Sequence, residues 1–415
     1  MNLPSGWKQV TLGEATAATR LGGNYECNGT YLGIPVIKMG NLGRGRIQLA
    51  TVERMPEGAD YFSDDVLKRG DILFNTRNTL DLVGKVAMWR EELPRAVFNS
   101  NILRIDFDES RGFTKGFGNL ILNSRRAIMQ LRAIATGTTS VAAIYWRDAQ
   151  HIRLLRPPLE EQEKISSIIE SWNNAILKLE SFVAAKVERK RGLMQQLVTG
   201  QTRFKEFVRS DKKVKTRFGN FPADWSQVHM GDIADEAGKK NGGGRELPVL
   251  SCTKYRGLVN SLEYFGKRIF SEDTSTYRIV ERGDFAYATN HIEEGSIGYQ
   301  NLHDAALISP MYTVFRTKPG VDHEFFWKLI KTELYRHIFE VNTSGSIARR
   351  GALRWDEFAL IKVFLPTVPE QKRIAAVLNT CDEEIKLLEK QLEALKEQKR
   401  GLMQKLLTGE VRVKI

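Results

Sequence analysis

Cysteine is scarce. Cys27, Cys252 and Cys381 are the only three in 415 residues, far apart and odd in number. They cannot build a disulfide framework or a cysteine-rich zinc site alone, and a reducing cytoplasm suits them. Long apolar runs are missing as well, none approaching the ~18–20 residues that a membrane helix needs. The opening MNLPSGWKQV has neither the charged start nor the apolar core of a signal peptide, so a cytoplasmic location is expected. Catalytic signatures are absent too. There is no G-x-x-x-x-G-K-[ST] phosphate loop, no G-x-G-x-x-G after a strand and no G-x-S-x-G elbow. Six histidines show neither H-E-x-x-H spacing nor a Cys/His cluster, so no metal site is expected. The N/D-P-P-Y/F tetrapeptide of amino-methyltransferases is missing, since the only Pro-Pro, Pro157-Pro158, precedes Leu159. These absences describe a binding chain, not an enzyme.

What the chain does contain is a repeat. Residues 161–200, EQEKISSIIESWNNAILKLESFVAAKVERKRGLMQQLVTG, match residues 370–409, EQKRIAAVLNTCDEEIKLLEKQLEALKEQKRGLMQKLLTG, at an ungapped offset of 209. The echo extends upstream through Trp146 and Trp355, Ile152 and Ile361, and Pro157 and Pro366. Beyond that the register drifts, with Pro4-Ser-Gly-Trp7 answered by Pro222-Ala-Asp-Trp225 and Arg69-Gly-Asp71 by Arg282-Gly-Asp284. Two halves of about 200 residues therefore share one architecture. Residues 1–155 and 218–365 alternate short β-rich runs, glycine turns and a few helical stretches, which reads as α+β. With 42% hydrophobic and 27% charged residues, each part can bury a real core.

The repeated segments read as long helices. Steps of 4 and 3 from Ile165 visit Ile169, Trp172, Ile176, Leu179, Val183, Lys186, Lys190, Leu193 and Leu197. From Ile374 they visit Leu378, Cys381, Ile385, Leu388, Leu392, Leu395, Lys399, Leu402 and Leu406. A 3.5-residue apolar period over more than four heptads is what a coiled coil requires. The simplest partner for each stripe is the other, and antiparallel pairing is expected because it sets the globular parts at opposite ends. The expected division is 1–155 globular, 156–202 first helix, 203–217 basic linker, 218–365 globular, and 366–415 second helix with its tail.

The formal charge is +12, which favours an anionic partner, nucleic acid first. Residues 1–159 hold 21 Lys+Arg against 15 Asp+Glu, a net +6, whereas the linker 203–217 nets +5 and residues 218–368 net −1. The linker is expected as a solvated tether. Polar clusters at the ends of β-like runs supply candidate DNA contacts: Asn75, Thr76, Arg77 and Asn78, and, in the second half, Thr289, Asn290 and His291. Asn and Arg have the bidentate geometry that adenine and guanine edges require. Small hydroxyl residues beside glycine suit phosphate, which adds Thr138, Thr139 and Ser140, and Ser344 and Ser346 with Arg349 and Arg350 behind them. Lys254 and Tyr255 complete the set.

These motifs together resemble the DNA-specificity (HsdS-like) subunit of type I restriction–modification systems along essentially the whole chain. The carriers are the PSGW-like openings, the KRGDILF and ERGDF blocks at Lys68–Phe74 and Glu281–Phe285, the PPLEEQ and PTVPEQ helix entries, and the KRGLMQxLxTG exits. The resemblance implies an α+β chain with two target recognition domains separated by an antiparallel coiled coil, each domain reading one half of a split, asymmetric double-stranded DNA sequence. It also implies two docked modification subunits that methylate adenine N6, and restriction subunits that join for ATP-dependent cleavage. S-adenosylmethionine and ATP/Mg would be used by those partners, with no cofactor held by this chain. A non-catalytic scaffold pairing two protein-binding domains is the alternative; it would bind no DNA.

Overall fold

The computed structural model describes residues 3–138, 141–242, 244–343 and 352–415. The chain divides into two compact units, one combining residues 1–180 with 390–415 and the other spanning 181–389.

In unit 1 a four-stranded antiparallel sheet runs Thr16–Leu21, Ile102–Phe107, Ile72–Asn75, Val86–Met88. Successive strand side chains point to opposite faces, so Ile72 and Phe74 enter one core while Leu73 enters another. The first core is closed by the helices Lys115–Leu122 and Arg125–Ala133, capped by Thr114 and Ser124. Unit 2 repeats the plan with Ala234–Ala237, Tyr312–Thr317, Phe285–Ala288 and Ile297–Tyr299. There Phe285 and Tyr287 face the helices His323–Ile330 and Glu333–Thr343, and Ala286 faces the other way. The R-G-D blocks are turns at the start of the central strands. Gly70 and Gly283 sit at φ +91° and +95°, and the buried Asp71 and Asp284 each accept the backbone N–H three residues upstream at 2.9 Å. Arg104 and Arg316 approach those carboxylates at 3.6 and 2.6 Å.

The long helices are Leu159–Val198 and Val368–Thr408. In unit 1 Glu161 pairs with Arg412 and Glu180 with Lys396, so the two segments run antiparallel. In unit 2 Lys186 pairs with Glu384 at 2.6 Å, Lys190 with Asp382, and Arg203 with Glu370, again antiparallel. Every position reached by the heptad count is buried or half-buried, while Leu177, Phe182, Val187 and Leu387 off the stripe are exposed. Two lysines that interrupt the first stripe thus meet carboxylates of the facing segment. Asp382 also takes the nearly buried Lys328 at 2.9 Å. Burial opposes ionisation of Asp382, but Lys190 and Lys328 outweigh it and hold its carboxyl below the usual range. A depressed carboxylate stabilises the fold at neutral pH and loses that contribution as pH falls through its folded-state value. Asp382→Asn should therefore destabilise unit 2 by ~1–3 kcal/mol near neutral pH, leaving Lys328 without its counter-charge. That is less than a fully buried pair would cost, because the Asp382 side chain is 42% exposed and screened by solvent. Denaturation midpoints of the variant and the wild type should converge toward acid; a constant gap down to about pH 3 would contradict this.

The motif residues converge on one knot per unit. In unit 1 the buried Glu161 receives Arg412 through two bonds of 2.7 and 2.8 Å and the Trp7 indole N–H at 2.9 Å. In unit 2 the buried Glu370 receives Arg203 at 2.8 and 2.9 Å, and Arg203 also reaches Asp224 at 2.7 Å. Each guanidinium lies 5.8 Å from a tryptophan ring, Trp7 or Trp225. The neighbouring glutamines clamp helix to globular part. Gln162 accepts from the Thr114 N–H and donates to Gly112 and Pro157 carbonyls; Gln371 does the same with Asp322, Gly320 and Pro366. The T-G exits end the helices with glycine at φ +68° and +72°, and a Cβ there would strike Pro222 at 2.4 Å or Pro4 at 2.5 Å.

The linker is partly folded, contrary to the tether reading. Arg203 is committed to Glu370, and Lys213–Thr216 forms a hairpin with Gly219–Pro222, while Lys212, Lys213 and Lys215 stay exposed. A charge run reads as solvated when its counter-charge lies 167 residues away in sequence.

Candidate nucleic-acid interface

The first candidate cluster follows the buried strand Ile72–Asn75. Asn75 is fully buried, its side-chain oxygen accepting from the Arg77 N–H at 3.2 Å. Thr76 is buried, its hydroxyl and its N–H both donating to the Asn101 carbonyl at 2.8 and 3.0 Å. These two side chains shape the strand end and are not presented to a ligand. Asn78 is half-buried and accepts from the Thr79 N–H at 2.8 Å. Arg77 is exposed, and its guanidinium has no partner among the described residues.

The structure joins this cluster to the second one. Arg77–Asn78 pairs with Ala142–Ala143, which pairs with Thr136–Gly137. The turn closes with the Thr138 N–H donating to the Val141 carbonyl at 2.9 Å and the Thr138 hydroxyl accepting from the Val141 N–H at 3.2 Å. Gly137 stands at φ +122°, where a Cβ would lie 2.3 Å from the Val141 carbonyl oxygen, so only glycine fits. Thr139 and Ser140 lie outside the described residues.

Unit 2 builds the matching place. Thr289 follows the strand Phe285–Ala288 and its hydroxyl donates to the Met311 carbonyl at 3.2 Å. Its carbonyl accepts from the Leu353 N–H at 2.9 Å, as the Thr76 carbonyl accepts from Ile144 at 2.9 Å in unit 1. Asn290 and His291 are exposed, and a cavity of about 230 Å³ beside them is lined by Phe270, Tyr277 and Tyr312. His291 lies 3.4 Å from Glu294, and potential ligand atoms of His291, Glu293 and Glu294 all fall within 4.8 Å of one another. Ser344, Ser346, Arg349 and Arg350 lie outside the described residues.

Lys254 and Tyr255 sit at the tip of the hairpin Leu250–Thr253/Gly257–Asn260. Lys331 ties this tip to the His291 loop, its ammonium donating to the Lys254 carbonyl at 2.8 Å and to the Gly295 carbonyl at 2.9 Å. Burial pulls the Lys331 pKa down. Nothing in the sequence signals Lys331, because its partners are backbone atoms. Arg203 and Arg412, by contrast, obey the offset of 209 and stand in matching T-G-x-x-R segments, so the repeat could have found them.

Each of the two α+β units presents polar loops at the end of a central antiparallel sheet. Residues 222–397 match the family model "Type I restriction modification DNA specificity domain". The chain is 23% identical over 433 residues to the putative type I restriction enzyme MjaX specificity subunit of Methanocaldococcus jannaschii, spanning 99% of this chain and 95% of that one. It is 27% identical over 291 residues to the MjaVIII specificity subunit of the same organism, 64% of this chain and 63% of that one. The HsdS subunit of Thermoanaerobacter tengcongensis shares the fold at TM-score 0.50 and 19% identity, covering 99% of both chains. The S subunit of M. genitalium does so at TM-score 0.54 and 13% identity over 98% of each. In sequence and fold the chain is thus similar to the DNA-specificity, HsdS-like subunits of type I restriction–modification systems, and residues 222–397 carry the family's domain. Among the described residues no helix is long and apolar enough to cross a membrane.

Proposed function

We propose that the chain reads a bipartite, asymmetric duplex target, one half-site per unit, and docks two adenine-N6 modification subunits, through which restriction subunits assemble. The chain itself performs no chemistry; S-adenosylmethionine and ATP/Mg act in its partners. The observation that carries this reading is the matched loop pair of each unit. The segment after the central strand, Thr76–Asn78 or Thr289–His291, is bonded to a second loop arriving through Ile144 or Leu353. Matched platforms bearing different side chains, Arg77 in one and Asn290-His291 in the other, suit two different half-sites. Phosphate contacts would fix register and the exposed side chains would specify bases.

Methylome sequencing of cells carrying exchanged units tests it. Replacing residues 1–155 with the matching part of a relative should change one half of the methylated sequence, and replacing 218–365 only the other. Methylation by the purified chain alone, or both halves changing together, would overturn the proposal.

A further inference from the structure

Each unit also carries an arginine-bearing turn that the half-site reading does not use. In unit 1 Leu42 bridges Ile47, and the turn between them closes with the Gly43 N–H donating to the Arg46 carbonyl at 2.9 Å. Gly45, at φ +85°, donates to the Val86 carbonyl, and its own carbonyl accepts Asn119 at 3.2 Å and Arg90 at 3.1 Å. Asn123, at the end of the helix Lys115–Leu122, donates to the Val86 carbonyl at 3.0 Å. The backbone is thus fixed, yet the exposed Arg44 has no hydrogen bond or ion pair among the described residues. Partial desolvation, and then the neighbouring Arg132, pull its pKa down. Arg132 reaches the Asp81 carboxylate at 3.8 Å and Arg46 the Glu180 carboxylate at 3.6 Å, whereas Arg44 has no carboxylate among the described residues, which suits it to an incoming anion.

Unit 2 has a counterpart. Ile34-Pro-Val-Ile37 and Leu247-Pro-Val-Leu250 stand at an offset of 213, the offset of the two R-G-D blocks, and Arg44-Gly45 is answered one residue out of that register, at 212, by Arg256-Gly257. The tip Lys254-Tyr255-Arg256 is exposed throughout, Tyr255 to 85%. Its backbone is held as firmly: the Arg256 N–H donates to the Thr253 hydroxyl at 3.1 Å, and Lys331, at the end of the helix His323–Ile330, donates to the Lys254 carbonyl. Gly257, at φ +68°, packs where a Cβ would come within 2.7 Å of Trp327. The globular part around it nets −1, so two cations with no acid between them are a local polarisation that net charge conceals.

We propose that the turns Gly43–Arg46 and Lys254–Arg256 are matched phosphate clamps on duplex DNA, one per unit, set on fixed backbone. The proposal rests on the half-site reading above. Guanidinium and ammonium groups on rigid turns position a duplex without reading it, and the tip tyrosine adds a sugar- or base-stacking face.

The test is a salt titration with the full chain assembled with its modification subunit, on one duplex bearing the methylated target and one lacking it. Arg44→Ala, and separately Lys254→Ala with Arg256→Ala, should weaken both duplexes alike by several-fold. For every phosphate interaction removed, the slope of log K against log salt should become shallower by about 0.9. Weakening confined to the target duplex, or no change in slope, overturns the proposal. Wild-type assembly that binds neither duplex overturns the half-site reading itself, and so the two failures are distinct.

Discussion

Replacing Glu370 by alanine is expected to be among the most damaging single substitutions outside the hydrophobic cores. The change leaves Arg203, whose side chain is 8% exposed, with Asp224 as its one carboxylate beside the Phe207 carbonyl, and removes two of its charge-assisted bonds. Breaking one side of a buried ion pair typically costs ~3–5 kcal/mol, because the remaining charge stays desolvated. At ~2–4 °C per kcal/mol for a unit of this size, the thermal midpoint of unit 2 should fall by roughly 6–20 °C. Glu161→Ala should cost less. Arg412 is 39% exposed and can return to water, leaving mainly the buried Trp7 indole N–H unsatisfied, a loss of ~1–3 kcal/mol. Denaturant unfolding of both variants measures the difference directly. Equal losses, or a larger one at Glu161, would mean that the exposure of the arginine does not decide the energetics of the knot.

That asymmetry between matched sites bears on how much of the molecule can be read from its sequence. The helical stripe is legible because period and offset are properties of the string itself. The positions counted from Ile165 and Ile374 are all buried or half-buried. The α+β character of each unit is legible for a similar reason, through short runs such as Ile72-Leu-Phe74 between glycine turns. The knots are not. Glu161-Gln162 and Glu370-Gln371 register only as helix entries, since their partners Trp7, Arg412, Arg203 and Trp225 are distant in sequence and meet them only after folding. Candidate contacts divide along the same line. Asn75, Thr76 and Arg77 are adjacent residues of types that suit base edges, but the same amide and hydroxyl groups also close strand ends. Burial separates them, and burial of adjacent residues is set by the surrounding loops. The strand Ile72–Asn75 is buried on both faces, so Asn75 stays inside, whereas Arg77 begins a three-stranded sheet with its own side chain exposed. Lys331 lies beyond sequence reading for a third reason: its partners are carbonyls, which every residue has.

Arg77 is the residue at which these considerations yield the sharpest functional expectation. Its side chain is exposed and unpartnered among the described residues, so Arg77→Ala should leave the stability of unit 1 within about 0.5 kcal/mol of wild type. Asn75→Ala, two residues upstream and fully buried, should instead destabilise unit 1, because the Arg77 N–H loses its acceptor inside the protein. If Arg77 makes a bidentate contact to guanine, its removal should cost ~1–3 kcal/mol of discrimination, a factor of about 5 to 150, at a single base pair of one half-site. Binding to duplexes substituted one base pair at a time across that half-site measures it. The other half-site should be unaffected, since unit 2 carries its own loops. A uniform loss on every duplex, with a shallower salt dependence, would make Arg77 a phosphate contact and move base reading in unit 1 to the neighbouring turn around Thr138. The salt slope therefore decides the role of Arg77, and it does so independently of folding, because substitution of an exposed, unpaired arginine leaves the stability of the unit as a fixed reference.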